Sequence, residues 1–308
     1  MKSRATAARL PAFWSCAERS GWLVRLADYW TLTKPEVNFL VIVSTLAGFY
    51  LGWRGPLNLI LLSSTLFGTL LVASGTGTLN QFIERASDAS MRRTAQRPLP
   101  AGRLAPASAL WFGILLAVAG GVLLWLVVNA LSSVLAVLTL LTYLLFYTPL
   151  KKRTALCTLV GAFPGAMPPL IGWAAARGSL SLEAWVLYAI LFFWQFPHFL
   201  AIAWMYREDY SRAGLRMLPQ GDVEGRFTAR EILAFTLALL PVSVLPVFLG
   251  QVGMVYMFGA LLLGLVFLIY GVRLALHRTK AMARRLVLAS VLYLPLVFAL
   301  MMVNKLPV

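Results

Sequence analysis

The chain has 308 residues, 60% hydrophobic and 12% charged, and 27 Lys and Arg set against 11 Asp and Glu give a net charge of +16. Soluble domains carry about 25% charged residues, so the polar sequence here is too sparse to cover a water-facing globule; a soluble enzyme, a disordered tail and a simple nucleic-acid binder are excluded. Two cysteines, Cys16 and Cys157, exclude a disulfide scaffold and a Cys-rich metal site.

Residues 1–36 read as a cytoplasmic N-terminal extension. They hold no continuous apolar run of the kind a secretory signal needs. The first 17 residues are basic and free of acids, a weak likeness to a transit peptide; a plain bacterial extension is the preferred reading. Trp22–Trp30 has the pattern of a short interfacial helix placed just before Lys34-Pro35. From residue 37 to 308 the chain is dominated by stretches with no Asp, Glu, Lys or Arg. A bilayer core of about 30 Å takes about 20 apolar residues as a helix. Two of the stretches are double length, and we place breaks at Val128-Asn129-Ala130 and at Gly250-Gln251-Val252-Gly253. The expectation is an all-α polytopic membrane protein with nine spans, at 37–53, 58–82, 108–128, 131–149, 156–175, 184–205, 232–250, 253–272 and 286–304.

With nine spans, all Lys and Arg except Arg54, Arg177 and Lys305 fall on the side of the N-terminus. Basic residues favour the cytoplasmic side. The expected location is therefore a bacterial cytoplasmic (inner) membrane with the N-terminus and charged loops in the cytoplasm, or a mitochondrial inner membrane with those loops in the matrix. All acids except Glu183 lie on the same side as the basic loops, which the charge rule does not explain.

Two loops on that side are long, and long loops in compact proteins are often functional. In the first, Asn80, Glu84 and Asp88 are spaced i, i+4, i+8, so on a helix their oxygens line one stripe. Hard oxygen donors of this kind suit Mg²⁺, which binds one or two carboxylates together with substrate phosphates. Arg93 and Arg97 follow one turn apart, suited to gripping phosphate oxygens in fork geometry. The plainer reading is a solvated helix end laced by ion pairs. The second loop follows Trp194-Gln195-Phe196-Pro197-His198-Phe199 and begins Arg207-Glu208-Asp209. Pro197 leaves a carbonyl unpaired and is expected to kink the span. His198 lies within the bilayer, where ionisable groups are functional candidates; a neutral histidine bonded to a carbonyl is the alternative. A third feature, Tyr147-Thr148-Pro149-Leu150-Lys151-Lys152-Arg153, is either a topology anchor or a grip on the outer end of a polyanion. Span five carries Gly161, Pro164, Gly165, Pro168, Pro169 and Gly172, a composition for close packing and irregular buried backbone. His277 reads as a snorkelling interfacial residue.

The Asn-x₃-acid-x₃-Asp pattern at 80–88 resembles the first motif of the UbiA superfamily of intramembrane prenyltransferases. Arg93–Pro100 (RTAQRPLP), YTPLKKRT at 147–154, GAFPGAMPPLIGW at 161–173, WQFPHF at 194–199 and REDYSRAGLRML at 207–218 are similar to its heme-farnesylating branch. The resemblance runs from about Lys34 to the C-terminus. It implies nine transmembrane helices around a central cavity and Mg²⁺-dependent transfer of a farnesyl group from farnesyl diphosphate to heme B, giving heme O and diphosphate. On this reading Asn80, Glu84, Asp88 and Asp209 hold the metal and are the catalytic set. Arg93, Arg97, Lys151, Lys152 and Arg207 clamp the diphosphate, and His198 contacts heme as an iron ligand or near a propionate. Heme B is a substrate, and a heme A synthase or terminal-oxidase assembly partner is the implied recipient of the product. Two positions depart from the family pattern: Glu84 stands where Asp is usual and Cys157 where Asn is usual. The alternatives are a relative acting on a quinone precursor or a chlorin ring and, in a different class, a transporter or a non-catalytic heme-handling protein.

Overall fold

A computed structural model describes residues 21–307; the first 20 positions, with the transit-like stretch and Cys16, lie outside the described residues. Among the described residues nine helices are long and apolar enough to cross a membrane, and no β-strand forms beyond one isolated bridge between Val252 and Lys305. A short helix α1 (Trp22–Leu32) precedes the spans. It exposes Trp22, Leu23, Leu26 and Trp30, while Asp28 is buried against Arg103 of a later loop at 2.9 Å. The first span, α2 (Pro35–Gly52), starts with proline at its first turn, where the missing N–H costs nothing. The second, α3 (Leu59–Ala89), is 31 residues long and capped by the Asn58 side chain.

The third span is α4 (Pro106–Leu123), which continues as a π-turn over Leu124–Val128. It ends at Asn129, inside the expected break. Asn129 is fully extended; its Oδ1 accepts from the Ser132 N–H at 2.8 Å to start α5 (Ala130–Thr142). Its Nδ2 donates to the Ala174 carbonyl at 2.8 Å, so one residue closes a span, opens the next and ties both to a third. The fourth span runs from α5 through a π-turn over Tyr143–Tyr147 into the single turn α6 (Thr148–Leu150).

Span five is two helices, α7 (Cys157–Gly165) and α8 (Pro168–Arg177), parted at Ala166-Met167 because Pro168 and Pro169 cannot extend the first. The second half packs very closely on α2: a Cβ placed on Gly172 would fall 2.0 Å from the Thr45 carbonyl oxygen, and one on Gly48 would meet the Pro169 carbonyl. The sixth span, α9 (Leu182–Met205), passes through Pro197 as one continuous helix. A short helix α10 (Arg207–Arg212) follows, then α11 (Arg226–Phe248), α12 (Met254–His277) and α13 (Lys280–Val303). The turn between α11 and α12 falls at Leu249–Gly253, as placed from the sequence. Much of the apolar surface is outward: Trp111, Leu126, Phe258, Leu262 and Leu292 are all exposed, as expected of helices solvated by lipid.

Candidate functional site

Span alternation brings to one end of the bundle the start of α2, the end of α3, α6, the start of α7, the end of α9 and α10. Polar bonds join these ends. The Arg92 N–H donates to Asp209 Oδ1 at 3.4 Å, linking the two long loops. The Arg216 N–H donates to the Lys151 carbonyl at 2.6 Å, and the Arg216 guanidinium donates to the Arg153 carbonyl at 3.2 Å, laying the 6–7 loop on the 4–5 turn.

Because α3 stays helical to Ala89, Asn80, Glu84 and Asp88 do share one stripe. Each is matched to cations or amides from elsewhere. Asn80 Oδ1 accepts from Lys34 Nζ at 2.7 Å, and its Nδ2 donates to Glu84 Oε2 at 3.0 Å and to Thr148 Oγ1 at 3.2 Å. Both Glu84 oxygens accept from Lys151 Nζ, at 2.9 and 3.0 Å. The Lys151 ammonium also lies 4.5 Å from the centre of the Tyr147 ring. Asp88 Oδ2 accepts from Arg97 at 2.8 Å, and Asp209 Oδ1 from Arg212 at 3.0 Å.

Lys34 is the residue that the sequence reading left without a role. It sits in the left-handed region at φ 54°, just before Pro35. Burial, with Arg97 and Lys151 beside it, lowers its amine to about 7, against the pull of Glu84 and Asp88. Burial also works against the Lys151 ammonium, but Tyr147, Tyr143 and Glu84 more than offset this and hold it above the usual lysine range. A cation at the first turn of a span, on the face that carries the acid stripe, was the available signal for Lys34. Thr148 stood in a quoted motif but only its side-chain contact gives it a part.

The remaining expected residues separate into two groups. Arg93 lies over the Tyr206 ring at 4.9 Å and Arg207 over Trp204 at 4.3 Å; both are exposed at the rim of the cluster. Lys152 is exposed, with no side-chain hydrogen bond among the described residues. His198 is elsewhere: buried on α9, stacked on Trp194 with ring centres 4.7 Å apart, its Nδ1 lies 2.7 Å from Ser290 Oγ on α13. Ser290 Oγ already donates to the Val287 carbonyl at 2.6 Å, so Nδ1 is the donor in that pair and Nε2 keeps its lone pair. Cys157 is buried against Met217 and the Arg216 carbonyl, a packing role.

The donor set can be tested for a divalent metal. Among the described residues no three His, Cys, Asp or Glu side chains come together as an all-protein cage. Asp88 Oδ1 and Asp209 Oδ2, however, carry no hydrogen bond among the described residues and are hard oxygens. Two open carboxylates fit Mg²⁺, which completes its shell with water and phosphate oxygens. The cluster as a whole pairs each carboxylate with a cation, an arrangement in which an incoming polyanion would take up the cations while a metal took up the freed carboxylates.

Known proteins resemble this chain in both sequence and fold. A model of the UbiA prenyltransferase family matches residues 41–303. The chain is 52% identical over 289 residues to a protoheme IX farnesyltransferase of Solibacter usitatus, covering 91% of this chain and 99% of the relative. It is 47% identical to one of Salinibacter ruber, again over 91% and 99%. Its fold is similar to that of a digeranylgeranylglyceryl phosphate synthase, with a TM-score of 0.74 at 17% identity, covering 91% of this chain and 98% of that one. It is also similar to a UbiA homolog from Archaeoglobus fulgidus bound to DMAPP and Mg²⁺, with a TM-score of 0.63 at 14% identity, covering 89% and 99%.

Proposed function

The chain belongs to the UbiA prenyltransferase family, and from that premise we propose that it transfers a farnesyl group from farnesyl diphosphate to a vinyl group of heme B, with addition of water and release of diphosphate, to give heme O. The observation that carries this reading is the cluster of ion pairs at one end of an apolar bundle, in a chain matching relatives of that name over nearly their whole length.

Farnesyl diphosphate places its diphosphate in the cluster and its chain among the apolar helices. Lys34, Lys151 and Arg97, released from Asn80, Glu84 and Asp88, bind its oxygens, and Arg93, Arg207 and Lys152 close from the rim. Asp88 and Asp209, with Glu84 and Asn80 beside them, would hold Mg²⁺, which when bound supplies Lewis-acid neutralisation of the leaving diphosphate. The cations aimed at that charge lower the cost of breaking the allylic C–O bond. Apolar and aromatic walls keep water from the farnesyl carbocation until the vinyl carbon attacks. Water then captures the cation beside the porphyrin and loses a proton. No covalent enzyme intermediate is required. His198 presents Nε2 as the group for heme, with Ser290 fixing the tautomer. The cluster faces the cytoplasm of a bacterium, or the matrix of a mitochondrion, and heme O passes to a heme A synthase or terminal-oxidase assembly partner.

Purified protein incubated with farnesyl diphosphate and heme B is expected to form heme O only with Mg²⁺, as read by mass spectrometry. Product from a hydroxybenzoate and none from heme B would overturn the assignment in favour of a quinone-precursor relative.

A further inference from the structure

The three cations that lie apart from all the others, Arg54, Arg177 and Lys305, come from the ends of three different spans, yet they line a single pocket at the end of the bundle opposite the acid cluster. Its wall also includes Glu183, Gln251 and Trp173. Among the described residues none of the three cations is ion-paired. Lys305 Nζ donates to the Tyr50 and Trp53 carbonyls at 2.8 and 2.6 Å, which pins it against the C-terminus of α2. Burial, then the positive charges of Arg177 and Arg54, hold its amine below the ordinary lysine range.

A second observation is independent of charge. Gln251 is buried to 9% exposure, and neither its Oε1 nor its Nε2 has a hydrogen-bond partner. The Trp173 indole N–H, 4% exposed, is likewise unpartnered. Buried polar groups are normally bonded, and an indole N–H only donates. The backbone holding Gln251 is well tied: its N–H donates to the Pro246 carbonyl at 3.0 Å and its carbonyl accepts from Leu306 N–H at 2.9 Å. The open amide therefore sits on a fixed frame.

Cations without an acidic partner, beside buried donors without an acceptor, suit a ligand with negative charge. We infer that this pocket binds a phosphate group carrying net negative charge, through Arg54, Arg177 and Lys305 with Gln251 and Trp173 as neutral donors. At the membrane interface the source is an anionic phospholipid headgroup or free phosphate. Glu183 limits affinity, since it is the one acid in the wall.

The test uses the full-length protein in a neutral detergent, titrated with short-chain phosphatidylglycerol, with the matching phosphatidylcholine and with inorganic phosphate, binding being read by native mass spectrometry and by the shift in melting temperature. Phosphatidylglycerol or inorganic phosphate is expected to bind and raise the melting temperature; which of the two does so assigns the source. Phosphatidylcholine, without net charge, binds weakly. Gln251→Leu keeps all three cations and is expected to weaken binding about tenfold, as Arg177→Gln does, while Glu183→Gln tightens it about threefold. If neither anion binds, or if Gln251→Leu and Glu183→Gln both leave the affinity unchanged, the pocket is no phosphate site and the inference falls.

Discussion

The Glu84–Lys151 pair offers a quantitative check on the site. Lys151 Nζ reaches both Glu84 oxygens at 2.9 and 3.0 Å, and the two side chains are only 12% and 10% exposed. Removing one partner of such a pair strands a charge away from water, at a cost of about 3–5 kcal/mol. The small residual exposure argues for the lower end, about 3 kcal/mol for Lys151→Met. Glu84→Gln alone should cost less, because Asn80 and Tyr147 still surround the neutral amide and the ammonium. In the double variant no charge is stranded, so it should recover most of the loss and give a coupling of about 2 kcal/mol. Equilibrium unfolding in mixed micelles, followed by tryptophan fluorescence, measures all four proteins. A coupling below about 0.5 kcal/mol, the value of an exposed pair, would refute the reasoning that these charges are buried partners.

The further expectations are independent of that pair. Asp88→Ala should abolish Mg²⁺-dependent heme O formation while the protein still inserts and folds, with Arg97 left without its carboxylate; retained activity would remove Asp88 from the site. His198→Ala should alter the absorption spectrum of bound heme and weaken its binding; an unchanged spectrum and affinity would end the ligand assignment, whereas Ser290→Ala should give a smaller spectral change through the Nδ1 bond alone. Gly172→Ala should destabilise by about 1–3 kcal/mol by overpacking, since the added methyl meets the Thr45 carbonyl, and the melting temperature in detergent reads it. Asp222 caps α11, accepting from Phe227 and Thr228 N–H at 3.0 and 2.8 Å, and Asp222→Ala should cost about 1 kcal/mol. Burial works against the Asp222 carboxylate, but the Thr228 hydroxyl, which donates to Oδ2 at 2.6 Å, together with these N–H bonds holds its pKa below the ordinary aspartate value of 3.8. Its stabilisation is therefore fully present above that pH, and the difference between wild type and variant should shrink as the pH falls below about 4.

The nine spans were legible because lipid tolerates no charge in the middle of a helix, so runs without Asp, Glu, Lys or Arg mark them directly. Asn129 and the Gly250–Gly253 turn were legible because each interrupts a run too long for one crossing. The observed helices extend past several charge-free limits: α11 begins at Arg226 and α13 at Lys280, since long basic side chains keep a helix going while their heads reach water. The π-turns at Leu124–Val128 and Tyr143–Tyr147 left no trace, as they depend on how a span settles against its neighbours. At the site, the acid stripe was legible from spacing within one helix. Its partners were not: Lys34 lies 46 residues from Asn80, and Lys151 lies 67 from Glu84, with the folding of whole spans between them. Proline chemistry accounts for the parting of α7 from α8, where two prolines follow each other, whereas the single Pro197 leaves α9 continuous.

The length of α3 sets a depth scale for the molecule. At 1.5 Å per residue its 31 residues measure about 46 Å, against about 30 Å of hydrocarbon. Counted from Asn58 at one margin, the slab is used up near Thr78, and Asn80, Glu84 and Asp88 climb through the headgroup zone beyond it. An amphiphile resting in the leaflet carries its own phosphates at that height. It would enter by sliding sideways, with no vertical step, and its ionic end would stay at headgroup height while its carbon tail stayed in oil.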